Sequence, residues 1–263
     1  MSAPIFFEKT QQNAGAINLN SGPTNAFSAE ALNSLSSALD EAHAEGLAGN
    51  IKSLLLLSQS PGYFSAGLDL NALDDSADLS GLLGTFYSNL QKLYTMPVPV
   101  ISGIRGHALG YGCMLALMGD YRLLVESGAR VGLPEVKLGL RIPRIVIEEY
   151  QKVVGYSEAN RQVLEGTAMK PDEALRCGYA DSLHPEDEIE SKCYSVAGKF
   201  KKLSSGGLAS IRAASRVDAS AFAEILKRDL EENLKSLNHP DAREGLSAAR
   251  EGRRPSFTGP AMV

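Results

Sequence analysis

Two stretches of this chain follow the same order, and that repetition limits its fold more than any other feature. Ile51–Ser58 holds four consecutive leucines; it leads into the small-residue segment Pro61-Gly-Tyr-Phe-Ser-Ala-Gly and then Leu68-Asp-Leu-Asn-Ala-Leu, which reads as the start of a helical turn. Pro97-Val-Pro-Val-Ile-Ser leads likewise into Gly103-Ile-Arg-Gly-His-Ala-Leu-Gly-Tyr-Gly and then Cys113–Gly119, a strongly apolar helix opening. A short apolar run bounded by polar turns suits a strand buried on both faces. Strand, small-residue loop and helix in repeated succession predict an α/β fold of stacked ββα units joined by crossovers. Strand-to-helix loops also leave backbone N–H groups free to point at a ligand. A lone glycine loop is an ordinary tight turn; two in matching contexts make a ligand-binding role an even alternative.

The flanking segments fit this scheme. Two extended stretches, around Ile5–Glu8 and Gly15–Leu19, precede a turn at Ser21-Gly-Pro. Leu32, Leu35, Leu39 and Ala42 recur at helical spacing, with Ser28 placed as N-cap and Glu30 in the first turn. Residues 78–94 read as a helix and Asp120–Val125 as a strand. Residues 143–235 are largely helical in pattern, with breaks near Gly155, Pro171, Gly178–Pro185 and Gly206–Gly207. These readings divide the chain into a core of residues 1–198 and a helical C-terminal region of residues 199–263.

Composition narrows the function. A net charge of -5 gives no reason to expect nucleic acid or an anionic membrane as partner. Three cysteines (Cys113, Cys177 and Cys193) without a CxxC pair argue against a disulfide framework, and four histidines without ligand spacing give no expectation of a metal. No apolar run approaches bilayer length. The N-terminus does not read as a secretory signal and Pro-Ala-Met-Val is not a peroxisomal address, so the expected location is a bacterial cytoplasm or an organelle matrix.

Phe64-Ser-Ala-Gly-Leu-Asp-Leu resembles a segment of the crotonase family, the enoyl-CoA hydratases and isomerases. Other segments agree in order and spacing: Asn18-Leu-Asn with Asn25-Ala-Phe-Ser, the run from Pro99 to Cys113, Asp120-Tyr-Arg, and Gly132-Leu-Pro-Glu-Val-Lys-Leu-Gly. The resemblance is good over residues 1–200 and looser beyond. It implies the crotonase (ClpP-like) fold, an acyl-CoA substrate, no separate cofactor, and a homotrimer or hexamer. It also implies that the backbone N–H groups of Leu68 and Tyr111 form an oxyanion hole for a thioester enolate. One such donor is typically worth about 3–4 kcal/mol. Coenzyme A is expected to lie across the first loop, bordered by Ala66, Leu68, Asp69 and Leu70, with Ala26 beside the pantetheine.

Hydratases of this family resemble one another in carrying two glutamates, one at the start of the central helix and one in the Leu-Pro-Glu segment. Here the first position is Met114 and the second is Glu135. A methionine neither gives nor takes a proton, which disfavours hydration. One carboxylate suffices for a 1,3-proton shift, so the expected activity is isomerisation of a 3-enoyl-CoA to a 2-enoyl-CoA, as in fatty acid oxidation. The form of the Phe64 segment, and Leu138-Gly-Leu-Arg-Ile-Pro-Arg in place of a Gly-Ala-Gly-Gly turn, are similar to the family's mitochondrial Δ3,Δ2-enoyl-CoA isomerases. Alternatives that keep the enolate are hydration, decarboxylation and thioester hydrolysis; a non-catalytic acyl-CoA-binding member is another.

Each residue also has a plain structural reading. Pro134-Glu135 is an ordinary helix opening with proline at N1. Asp69 suits an N-cap. Glu148 and Glu149 are candidates for a second carboxylate, with a solvated helix face as the favoured reading; Arg141 and Arg144 can approach the site, with surface pairing as the favoured reading. Tyr111 stands where the family usually has glycine, and its ring either packs harmlessly or shapes the acyl pocket. Asn71 and Ser21-Gly-Pro-Thr also depart from the family's pattern, leaving the phosphate contacts of the nucleotide unassigned.

Overall fold

The structure, a computed structural model, describes residues 4–10, 12–75 and 78–261. Strands β1 (Ile5–Lys9) and β2 (Ala14–Leu19) form an antiparallel pair. A short strand β3 (Ala26–Phe27) leads into helix α1 (Ala29–Leu47), whose N-cap is Ser28, accepting from the Ala31 N–H. The leucine run forms β4 (Ser53–Ser58), buried along its whole length. Two very short strands follow, β5 (Tyr63–Ser65) and β6 (Gly67–Leu68), then helices α2 (Leu70–Asp75) and α3 (Leu79–Tyr94). The second repeat gives β7 (Val100–Ile104), β8 (His107–Leu109) and the fully buried α4 (Tyr111–Leu117). A third, not visible in the sequence, gives β9 (Tyr121–Val125), β10 (Val131–Gly132) and a single 3-10 turn, Glu135–Leu138.

The remainder is mostly helical: α5 (Arg144–Val154), α6 (Tyr156–Glu165), α7 (Pro171–Arg176), α8 (Ile189–Gly198), α9 (Ser205–Ala214), α10 (Ala219–Leu237) and α11 (Pro240–Glu251). Two short strands, β11 (Ala168–Met169) and β12 (Ser182–His184), fall at the breaks expected near Pro171 and over Gly178–Pro185.

Among the described residues twelve strands form three sheets. The large one runs β1-β2-β4-β7-β9-β12 and is parallel apart from β1. The small one runs β11-β10-β8-β5, with β10, β8 and β5 mutually parallel, and β3 pairs with β6. Each unit leaves the large sheet, adds a strand to the small sheet, and then opens a helix or turn. The two small-residue segments expected as loops therefore contain strands. Two or three residues rich in glycine, alanine and histidine carry no readable alternation, and pairing with neighbours supplies what propensity lacks.

The C-terminal helices are tied to the rest by buried chemistry. Arg212 on α9 donates to Asp120 (2.8 Å), to Tyr94 O (2.9 Å), to Leu93 O (3.0 Å) and to Met96 O. Asp120 also accepts from Arg216 (2.7 Å) and from the Val100 N–H (2.7 Å). Burial alone would raise the Asp120 pKa, but the two guanidinium groups and the N–H outweigh it and hold the carboxyl below its ordinary range. Among the described residues no helix is long and apolar enough to cross a membrane.

Candidate active site

The small sheet brings the expected site residues together. Ser65 of β5 pairs with Ala108 of β8; Ala108 and Leu109 pair with Val131 and Gly132 of β10. Three parallel strands thus end side by side, about 5 Å apart. Leu68, Tyr111 and Glu135 each lie two or three residues beyond one of those ends. The carboxyl ends of parallel strands are where α/β sheets bind ligands.

Leu68 presents a free backbone edge. The neighbouring N–H groups are spent: Ala66 donates to Thr24 O (2.9 Å), Gly67 to Ser65 Oγ (3.0 Å) and Asp69 to Phe27 O (3.0 Å). Successive residues of a strand point their backbone groups to opposite edges, so the Leu68 N–H faces away from β3. Tyr111 is the first residue of α4, whose first intrahelical bond runs from the Met114 N–H to Gly110 O (3.0 Å). Its N–H therefore belongs to the group that a helix start leaves open, at the positive end of the helix dipole. The two segments touch at Gly67, which has φ +106°; a Cβ there would stand 3.0 Å from Leu109 O and 3.4 Å from the Tyr111 nitrogen.

Glu135 completes the arrangement. The residue is 8% exposed, and among the described residues its Oε2 has no hydrogen-bond partner. A Cβ on Gly110 would lie 3.1 Å from Glu135 Oε1, so the carboxylate rests against the bare Cα beside Tyr111. Burial pushes the carboxyl up from 4.5 to about 7, against a smaller downward pull from its own backbone N–H. A buried, unpartnered carboxyl poised near neutrality suits a general base. The expected N1 proline is not found: Pro134 lies outside a four-residue 3-10 turn that Glu135 begins. The Leu-Pro-Glu segment is too tightly held between β10 and α11 to extend into an α-helix, and Gly139, at φ +64°, closes the turn with its Cα against the Asp241 backbone.

These residues open onto a cleft whose empty space, including the solvent at its open mouth, is about 750 Å³. Ala66, Leu68, Leu70, Tyr111, Met114 and Glu135 line it together with Leu73, Leu83 and Phe86, so its wall is mostly apolar. Among the described lining residues Glu135 is the one carboxylate; Met114 fills the place of a second. The Tyr111 ring packs edge-on against Phe27 (5.0 Å) and tilted against Phe86 (4.4 Å), so it both joins the core and shapes the wall. The neighbouring Cys113 is no nucleophile, since burial pushes its thiol up to about 12. Ala26 and Asp69 flank the cleft without lining it: Ala26 pairs with Gly67, and the Asp69 carboxylate accepts from the Asn71 N–H (3.0 Å) and Nδ2 (3.1 Å), as an N-cap does.

Two structural readings need correction, and a third holds. Arg141 is not a surface pair: it lines the cleft and binds Asp229, which is buried on α10, at 2.9 Å. Glu149 does not face solvent, because it accepts from Tyr94 OH (3.0 Å) and binds Lys152 (2.5 Å). Glu148 does pair near the surface, with Arg144 at 2.7 Å. The packing of α10 against α3 and α5 causes the first difference, since it covers a loop that local sequence leaves open.

Two groups of residues carry roles that sequence reasoning missed. Asn233, Ser236 and Leu237 of α10 line the cleft; the signal was their spacing, which places polar side chains on the helix's inner face. Asn25 is fully buried at φ +47°. It donates to Leu19 O (3.3 Å), Ser58 Oγ (2.9 Å) and Phe64 O (3.2 Å), and accepts from the Ser21 N–H (2.7 Å). Its own carbonyl receives the Ser65 hydroxyl at 2.7 Å. Asn25 thereby holds the chain entering Leu68. Asn25→Ala strands several buried polar groups in an unfavourable backbone region, and is expected to lower stability by about 3 kcal/mol, read as a lower urea midpoint.

Residues 9–260 match the enoyl-CoA hydratase/isomerase family. This chain belongs to that family. Among relatives, the mouse mitochondrial enoyl-CoA delta isomerase 1 is 34% identical over 187 residues, which is 69% of this chain and 63% of the mouse protein. A probable enoyl-CoA hydratase of Mycobacterium tuberculosis is 28% identical over 260 residues, covering 98% of this chain and 99% of that one. The solved human mitochondrial delta3-delta2-enoyl-CoA isomerase superposes with a TM-score of 0.88 at 24% identity, covering 95% of this chain and 97% of that one. The carnitinyl-CoA hydratase of Mycobacterium avium gives 0.83 at 22% identity, over 98% and 99%. The architecture of stacked ββα units is thus the crotonase fold. Family relatives carry both isomerase and hydratase names, so membership fixes the fold and leaves the reaction to the chemistry of the site.

Proposed function

We propose that the protein is an enoyl-CoA isomerase that moves a double bond from the 3 to the 2 position of an acyl-CoA. The observation that carries this reading is the single carboxylate among the described lining residues: Glu135 is buried against Gly110, the residue before Tyr111, and Met114 occupies the place that the family resemblance gives to a second. The ionised Glu135 takes a proton from C2. The electron pair spreads over the conjugated dienolate, and its negative charge rests on the thioester oxygen between the Leu68 and Tyr111 N–H groups. Glu135, now an acid, returns the proton at C4, and the double bond forms between C2 and C3. No water is consumed, and base and acid are regenerated.

The apolar wall around Met114 supports the same reading, because hydration would need a positioned water and a second proton donor. In this proposal coenzyme A runs across Ala66, Leu68, Asp69 and Leu70, with Ala26 near the pantetheine, and the family's chemistry makes fatty acyl groups the natural substrates. We also place the protein as a homotrimer or hexamer in a bacterial cytoplasm or an organelle matrix.

Turnover of trans-3-hexenoyl-CoA compared with hydration of crotonyl-CoA tests the assignment. The expected result is rapid formation of the 2-enoyl product with hydration slower by at least about a hundredfold, the usual worth of a second acid–base group. Hydration as fast as isomerisation would sink it.

A further inference from the structure

Helix α10 turns an unusual face inward. Its buried stripe begins apolar, with Phe222 and Leu226, and then continues as Asp229, Asn233 and Ser236. These positions follow one another at helical spacing on one side of the helix. A helix covering an apolar cleft would ordinarily continue with leucine or valine, because a buried polar group without a partner is costly. Asp229 and Asn233 have partners: Asp229 binds Arg141 (2.9 Å) and accepts from the Ile145 N–H (3.2 Å), and Asn233 donates through Nδ2 to Tyr87 OH. Ser236 does not. It is 2% exposed, lines the cleft, and among the described residues its Oγ has no hydrogen-bond partner, not even the carbonyl one turn back that a helical serine commonly uses.

The cleft therefore has two polar places, Glu135 with the two N–H groups, and a second one at Asn233 and Ser236, which line it together with Arg141. Polar groups at functional positions are where a sequence breaks its own pattern. Resting on the reading that an acyl-CoA occupies this cleft, we propose that the acyl group carries a neutral oxygen function, a hydroxyl or carbonyl away from the thioester, that docks against Ser236 and Asn233. A carboxylate fits less well, because Asp229 already neutralises Arg141 and Glu135 lines the same cleft. A plain alkyl chain would leave the Ser236 hydroxyl buried and unpaired.

Binding of saturated thioesters tests this without turnover. The dissociation constants of octanoyl-CoA, ω-hydroxyoctanoyl-CoA and the CoA monothioester of octanedioic acid are measured by calorimetry on the wild type and on Ser236→Ala, with hexanoyl and decanoyl counterparts to cover position. The hydroxylated ligand of one length is expected to bind about tenfold tighter than the plain one, and Ser236→Ala to remove most of that ratio. Equal binding of plain and hydroxylated chains at every length overturns the proposal and leaves the isomerase reading standing. So does a ratio that Ser236→Ala leaves unchanged, or a preference for the carboxylate. Failure of every thioester to bind overturns both this proposal and the acyl-CoA reading beneath it.

Discussion

Glu135→Gln lowers kcat for 3-enoyl-CoA isomerisation by about a thousandfold to ten-thousandfold while substrate still binds. The amide keeps the size and the contact with Gly110 but cannot take a proton, and general acid–base help is typically worth this much. The variant also changes stability in a direction that replacing an exposed glutamate would not. Folding raises this carboxyl from 4.5 to about 7, so the folded state favours the protonated form. Its stabilising contribution is complete below pH 4.5 and is lost as pH rises through about 7, where the protein must hold a buried charge. The shift corresponds to about 3 kcal/mol. Urea unfolding at several pH values is therefore expected to show Glu135→Gln gaining on the wild type as pH rises, while its kcat stays far below the wild type's throughout. Equal pH dependence of stability in the two proteins would mean that Glu135 titrates like an exposed carboxylate.

Gly67→Ala is expected to cost about a hundredfold to a thousandfold in kcat, the usual loss when one oxyanion donor is displaced. A methyl group here meets Leu109 O at 3.0 Å, so the two loops must separate, and the Tyr111 nitrogen lies only 3.4 Å away. The backbone at φ +106° adds strain of about 1–3 kcal/mol for any residue with a Cβ. A steady-state assay separates the effects: displacement of the donor lowers kcat more than it raises KM, because the oxyanion charge exists only beyond the ground state. A variant that only raises KM would show that Gly67 shapes substrate binding and that the donors lie elsewhere.

How far the site was legible in the sequence follows from the length of its elements. The leucine run of β4 and the apolar opening of α4 announce themselves by composition, and Ser28 by its capping chemistry. Leu68, Tyr111 and Glu135 were reached through motif resemblance, because a backbone N–H has no residue signature. What aligns them is the small sheet, whose strands of two or three residues are too short for any periodicity to register. The third unit was hidden for the same reason: β10 is two residues, and its helix is reduced to the turn at Glu135. The α10 wall was missed because its inner face is polar, so the amphipathic pattern that marks a buried stripe fades where it reaches the cleft.

The dependence of kcat/KM on pH with trans-3-hexenoyl-CoA reports whether one carboxylate performs both proton transfers. A single ionisation near pH 7 is expected, with activity rising to a plateau as Glu135 becomes charged. A bell-shaped profile, with a second essential group that must stay protonated, would contradict it.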